Sequence, residues 1–93
     1  MNSSDLLARL IAFDTTSALS NLEMMEYIQH YLNAHNIDSQ LIFNDEYTKA
    51  NLYASIGSEQ ARQQPGILLS GHTDTVPVSG QQWTRPAYQL TRD

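Results

Sequence analysis

Ile67-Leu68-Leu69-Ser70-Gly71-His72-Thr73-Asp74-Thr75-Val76-Pro77 is the stretch on which the reading of this chain turns. Ile67-Leu68-Leu69 is a short unbroken apolar run, as expected of a strand buried on both faces in a mixed or parallel sheet. The run ends at Ser70-Gly71, and His72 follows at once. In open α/β sheets, ligands collect just beyond the carboxyl ends of the strands, so position 72 is where a reactive group would be placed. Asp74 is two residues on; in extended backbone the two side chains share a face, about 6.6 Å apart at the backbone. A carboxylate at that distance can accept a hydrogen bond from one imidazole nitrogen, which leaves the other unprotonated and free to bind a metal. Thr73 and Thr75 alternate with this pair and are expected on the opposite face. Pro77 stiffens the exit and prevents continuation as a central strand. By spacing alone two readings stand: His72 is a ligand oriented by Asp74, or Asp74 caps a turn with His72 packed beneath it. Short motifs of this kind also arise by chance.

Upstream, the apolar spacing defines the elements that lead to this run. Ser3 or Ser4 is positioned to cap a first helix with Asp5 in its first turn, and Leu6, Leu7, Leu10 and Ile11 form one apolar stripe. Asp14-Thr15-Thr16-Ser17 breaks that pattern, because short polar side chains compete for backbone hydrogen bonds. A second helix is predicted from Ser20, with Glu23 at capping-box spacing. Leu22, Met25, Ile28 (or Gln29) and Leu32 follow as its stripe, Met24 and Met25 fill gaps, and Asn36 is the stop. From Ile37 the period becomes two, so residues 37–43 read as a strand with one buried face. Asn44-Asp45-Glu46 is a polar turn, Asn51 to Ile56 a second strand, and Ser58 to Gly66 a loop. Helix, helix, strand, strand, strand is the opening of an α/β sandwich.

The bulk composition narrows the function classes. The chain has 93 residues, 41% hydrophobic and 16% charged, which is a globular composition of one-domain size. A domain this small buries roughly 60–65% of its unfolded surface, so modest stability is expected. Net charge is -5 without a basic cluster, which argues against nucleic acid and anionic membrane as partners. There are no cysteines, so a bound metal would have to be held by His and carboxylates. Met1 to Leu7 lacks a basic region followed by a long apolar run, so a cytoplasmic location is the expectation.

The whole of 67–77 closely resembles the first metal-binding motif of the deacylase family that includes acetylornithine deacetylase, succinyl-diaminopimelate desuccinylase and related carboxypeptidases. Lys49-Ala50-Asn51-Leu52-Tyr53-Ala54-Ser55-Ile56-Gly57 resembles the strand that precedes the motif in acetylornithine deacetylases. Phe13-Asp14-Thr15-Thr16-Ser17 and Gln82-Trp83-Thr84 sit where that family carries similar text. The resemblance implies an α/β fold, with residues 1–93 as the N-terminal part of a zinc-peptidase-like α/β/α catalytic domain: two helices, then a mixed sheet, truncated. The remainder of that domain and the inserted dimerisation or lid domain would then be absent.

By the same resemblance, His72 binds one of two zinc ions, with cobalt as an alternative metal, and Asp74 is the active-site carboxylate that orients its imidazole. Water activated between the two ions attacks an amide carbonyl, and a glutamate passes the proton to the leaving amine. The implied substrate is a small N-acylated amino acid, N2-acetyl-L-ornithine first, hydrolysed to L-ornithine and acetate in arginine biosynthesis. The intact parent would be a homodimer. Sibling deacylases (succinyl-diaminopimelate desuccinylase, an aminoacylase or a carboxypeptidase) and a short non-catalytic interaction module are the alternatives.

The family's bridging aspartate, glutamate base and remaining ligands lie further along than this chain reaches. Asp93 resembles the acidic residue just ahead of the bridging segment. Because a catalytic zinc needs three protein ligands, 93 residues alone are expected to be inactive. Relatives usually show Asp-Pro-Phe where this chain reads Pro86-Ala87-Tyr88, which leaves Tyr88 an aromatic packing role but removes the acid. His30 and His35 read as exposed helical residues, and Glu23, Glu26, Asp45 and Glu46 as surface charges. Trp83 reads as a packing anchor for a last strand, or less simply as a cleft wall. Gly71 either permits close backbone approach or is an ordinary strand-end glycine.

Overall fold

Two helices and one hairpin carry most of the packed structure. Helix α1 spans Ser3–Ile11, and its cap is Asn2, one residue ahead of the predicted serines. Counting from Asn2 puts Asp5 at the third helical position. The Asn2 side chain accepts from the Asp5 amide at 2.9 Å, and the Asp5 carboxylate accepts from the Asn2 amide at 3.2 Å. This reciprocal pair satisfies two amides that the helix itself cannot.

Helix α2 spans Leu22–Ala34. The capping box expected from Ser20 and Glu23 does not form: the helix starts one residue later, with Asn21 at the cap position, and Glu23 stays exposed. Ser20 Oγ still accepts from the Leu22 amide at 3.2 Å. The stop at Asn36 is as expected, and its mechanism is visible. Asn36 takes φ 60°, the left-handed conformation that asparagine tolerates better than most residues. The Asn36 and Ile37 amides then fold back onto the carbonyls of Asn33 and Leu32, at 3.0 and 2.9 Å.

Strands β1 (Ser39–Phe43) and β2 (Ala50–Ala54) pair antiparallel with Leu41 opposite Leu52. The turn between them is organised by Asn44. Its side-chain oxygen accepts from the amides of Thr48 and Lys49, at 2.9 and 3.0 Å, so one residue substitutes for several backbone partners. Alternation works as predicted over the middle of the hairpin: Leu41 and Leu52 pack toward α2, while Gln40, Ile42, Asn51 and Tyr53 are exposed. A second asparagine joins helix to sheet. Asn21 Nδ2 donates to the Ala50 carbonyl and Asn21 Oδ1 accepts from the Ala50 amide, both at 2.9 Å.

The core lies between these elements and is thin. Met24, Met25 and Ala50 are its buried apolar members, with Leu10, Phe13, Leu22, Ile28, Leu41 and Leu52 partly buried around them. Met24 and Met25 therefore do more than fill gaps; adjacent on α2, they face two different sides. Met25 faces the sheet side, where it borders a trough beside β2, and Met24 borders a groove shared with α1.

The third predicted strand is absent. Ile67-Leu68-Leu69 joins no ladder, and its residues are 91%, 77% and 89% exposed. A strand buried on both faces needs a sheet on which to lie, and the described sheet consists of β1 and β2 alone. Hence the expected mixed sheet is a two-stranded antiparallel one, and the parallel pairing present is an isolated bridge between Thr16 and Thr75. Beyond β2, a single 3-10 turn at Ala61–Gln63 is the one regular element among the described residues. The computed structural model describes residues 1–92, so Asp93 lies outside the described residues. Its radius of gyration is 15.6 Å, against about 12 Å for a compact domain of this length. The excess reflects the extended course of the chain after β2. No helix among the described residues is long and apolar enough to cross a membrane.

Candidate metal-ligand site

The site is built by two segments far apart in the chain. Asp14 to Ser17, which the apolar spacing marks only as a helix break, lies alongside Thr73 to Thr75. The Thr75 amide donates to the Thr15 carbonyl at 3.2 Å, and the Ser17 amide donates to the Thr75 carbonyl at 3.0 Å. Thr15 Oγ1 donates to the Thr73 carbonyl at 2.5 Å. Thr15 and Thr16 are buried, and the hydrogen bonds of their hydroxyls offset the cost of removing them from water.

Asp14 sets the shape of this clip. Its Oδ1 accepts from Thr16 Oγ1 at 2.6 Å and from the Thr16 amide at 3.0 Å, a turn in which the side chain stands in for backbone. The Thr16 hydroxyl first, then the Thr16 amide and the Tyr88 hydroxyl, stabilise the ionised form and hold the carboxyl below its ordinary value, with burial a weaker opposing effect. Tyr88 OH lies 3.5 Å from Thr16 Oγ1, so the aromatic in Pro86-Ala87-Tyr88 packs against the clip despite the altered text around it. From the other side, Lys49 Nζ donates to the Ser17 carbonyl.

On the segment so held, His72 and Asp74 meet. His72 Nδ1 donates to Asp74 Oδ1 at 2.7 Å, with the Asp74 carbonyl a further 3.2 Å contact. An ionised carboxylate can only accept, so the proton of this pair sits on Nδ1 and Nε2 is the nitrogen left with a lone pair. The two side chains are 84% and 63% exposed. That exposure removes the reading in which His72 packs beneath a turn. Both residues border an open trough of about 770 Å³ whose opposite wall is formed by Met25, Ile28 and β2.

Thr75 contributes to the other side as expected, while Thr73 borders both the trough and that side. They line an apolar groove of about 430 Å³ with Leu10, Phe13, Met24 and Tyr88. Trp83 borders the same groove and is 53% exposed, but no strand follows it among the described residues, so it anchors irregular chain. A Cβ placed at Gly71 would meet nothing within 4 Å, so no close approach requires glycine there. His30 and His35 are exposed on and after α2, with His35 Nδ1 donating to the Tyr31 carbonyl at 2.9 Å. Glu23, Glu26, Asp45 and Glu46 are likewise exposed.

The donor set suits one corner of a metal centre. An imidazole with Nδ1 engaged by a carboxylate and Nε2 open is the arrangement that metal-binding histidines adopt. Among the described residues no group of three or more His, Cys, Asp or Glu converges to complete such a centre. What sequence reasoning missed is the clip: Thr15 showed no periodicity or spacing that links it to Thr73, and the resemblance of Phe13 to Ser17 to family text was its one signal.

Known proteins agree with the resemblance. An acetylornithine deacetylase of Yersinia pseudotuberculosis is 50% identical over 48 residues, which is 50% of this chain and 12% of that protein. A probable succinyl-diaminopimelate desuccinylase of Staphylococcus epidermidis is 35% identical over 88 residues, 92% of this chain and 20% of that protein. The corresponding Staphylococcus aureus protein is 31% identical over 87 residues. No protein-family model and no solved structure matches the chain. The chain is thus an α/β segment bearing a histidine–carboxylate pair. It belongs to the family of acetylornithine deacetylases and succinyl-diaminopimelate desuccinylases, and spans between 12% and 20% of the length of these relatives.

Proposed function

We propose that these residues form part of a metal-dependent amidohydrolase and supply one ligand, His72, and the carboxylate that orients it, Asp74. The observation that carries this reading is the 2.7 Å bond from His72 Nδ1 to Asp74 Oδ1 beside an open trough. Asp74 holds the imidazole in the tautomer with its proton on Nδ1, so Nε2 presents a lone pair to a divalent ion. Zinc, or cobalt in its place, would supply Lewis acidity there, polarising an amide carbonyl and acidifying water.

The substrate proposed first is N2-acetyl-L-ornithine, hydrolysed to L-ornithine and acetate by the whole enzyme in the cytoplasm, as a step of arginine biosynthesis and as a homodimer. The 50% identity to the Yersinia protein supports it. A desuccinylase is the second reading, favoured by the longer match, which covers 92% of this chain. Assaying a full-length protein that contains this sequence with both acylated substrates separates the two: preference for the succinylated compound excludes the first.

For the 93 residues themselves, the expectation is weak zinc binding without turnover, since one imidazole and one orienting carboxylate are too few ligands for a catalytic centre. In a zinc titration, His72→Ala should abolish what binding there is. Tight stoichiometric binding that survives the substitution would contradict the proposal.

A further inference from the structure

We propose that Thr15 is a positioning residue for the His72–Asp74 pair, acting through the two peptide planes that flank Asp74. The carbonyl of Thr73 belongs to the peptide unit that precedes Asp74, and it accepts the Thr15 hydroxyl at 2.5 Å. The amide of Thr75 belongs to the unit that follows Asp74, and it donates to the Thr15 carbonyl at 3.2 Å. Each peptide unit is planar, so fixing the direction of one C=O and one N–H fixes the rotations on both sides of the Asp74 Cα. One residue therefore determines where the Asp74 side chain departs from the backbone.

Packing does not do this job. Asp74 and His72 are 63% and 84% exposed, so few side-chain neighbours constrain either. Thr15, by contrast, is 4% exposed and stands on a clip held by Asp14, Tyr88 and Lys49 through the bonds described above. The buried group is thus placed to confer rigidity on the exposed pair. This role deepens the metal reading and rests on it for its use in catalysis, but the geometry is a property of the metal-free chain.

The test uses the 93-residue chain without metal, comparing wild type with Thr15→Val and Thr15→Ser. Nitrogen-15 NMR of the imidazole at about pH 9, above the usual titration range of histidine, reads the tautomer of His72 directly. Wild type and Thr15→Ser should show the proton on Nδ1. Thr15→Val keeps the branched shape and the backbone carbonyl but loses the hydroxyl, and His72 should then shift toward the Nε2–H form that predominates in an unconstrained histidine side chain, with the helical circular dichroism unchanged. A folded Thr15→Val chain with the wild-type tautomer overturns the proposal, as does a Thr15→Ser chain that shifts as far as the valine variant.

If Thr15→Val does not fold, the unaltered chain decides. Its Thr15 hydroxyl proton should exchange slowly enough to be observed, with a cross-peak to Thr73 or Asp74, and a freely exchanging hydroxyl sinks the idea. Because no metal is present, failure here leaves the zinc titration untouched. Failure of that titration likewise leaves the tautomer result standing.

Discussion

Residues up to the end of β2 and those after it behave as two different kinds of chain. The first part folds against itself: α2 covers one face of the hairpin, α1 adds Leu10 to the same core, and the buried residues Thr15, Thr16, Met24, Met25 and Ala50 all belong to it. The second part carries the motif yet contributes no buried residue among those described, and its most apolar run lies open to water. It is held where the Asp14–Ser17 clip grips Thr73 and Thr75. The contrast separates what makes the protein fold from what makes it a candidate site. Local helical and hairpin contacts supply the stability, and the site borrows it through a few hydrogen bonds.

The sharpest challenge to that contrast is truncation within the first part. Met25→Ala should destabilise by about 2–3 kcal/mol, in the lower half of the range for large-to-small core changes because the core is thin. Urea denaturation followed by circular dichroism measures it; a loss under about 0.5 kcal/mol would mean that the helices and hairpin do not form the stable unit.

A smaller effect is expected at the clip. Asp14 has a folded-state pKa depressed below its ordinary value by the Thr16 and Tyr88 hydrogen bonds. A depressed carboxyl contributes stability that is fully present above its unfolded pKa, about 3.9, and is lost as pH falls through the lower folded value. Amide exchange at Thr75 and Ser17, taken relative to the intrinsic rate at each pH, should therefore accelerate below about pH 4 in wild type. Asp14→Ala should accelerate it already at neutral pH and flatten the profile. An identical acid profile in the two proteins would remove Asp14 from the account.

The smallest effect should come from the open run. Leu68→Ala alters a residue that is 77% exposed, so stability should change by less than about 0.5 kcal/mol. The same leucine in a packed strand would cost about 2–5 kcal/mol. A loss of that size here would show that residues 67–69 are covered in solution.

Much of the first part was legible in the sequence because its contacts are local and periodic. Leu22, Met25, Ile28 and Leu32 announce a helix, and the alternation through Leu41 announces a strand, because each element must turn one face inward. Boundaries were read less well for reasons of competition. Asn2 caps α1 in place of Ser3 or Ser4 because only from Asn2 does Asp5 fall at the reciprocating position. Asn21 takes the cap position of α2 but spends its side chain on Ala50. Residues 67–69 were misread because an apolar run reports a wish for burial without naming the neighbours that would provide it. The pairing of His72 with Asp74 needed only a separation of two residues in extended chain. The grip of Thr15 on Thr73 spans 58 positions, and no pattern in one sequence encodes such a meeting.

That same span has a consequence in time. A ribosome adds roughly 5–20 residues per second, so the hydroxyl of Thr15 leaves the peptidyl centre several seconds before its partner carbonyl is made. Throughout that interval the nascent chain carries the Thr15 hydroxyl with no Thr73 carbonyl to accept it, and before the interval ends the residues of both helices and the hairpin have all been made. The histidine corner is therefore the last portion of this stretch to acquire its shape during synthesis, added onto a scaffold finished without it.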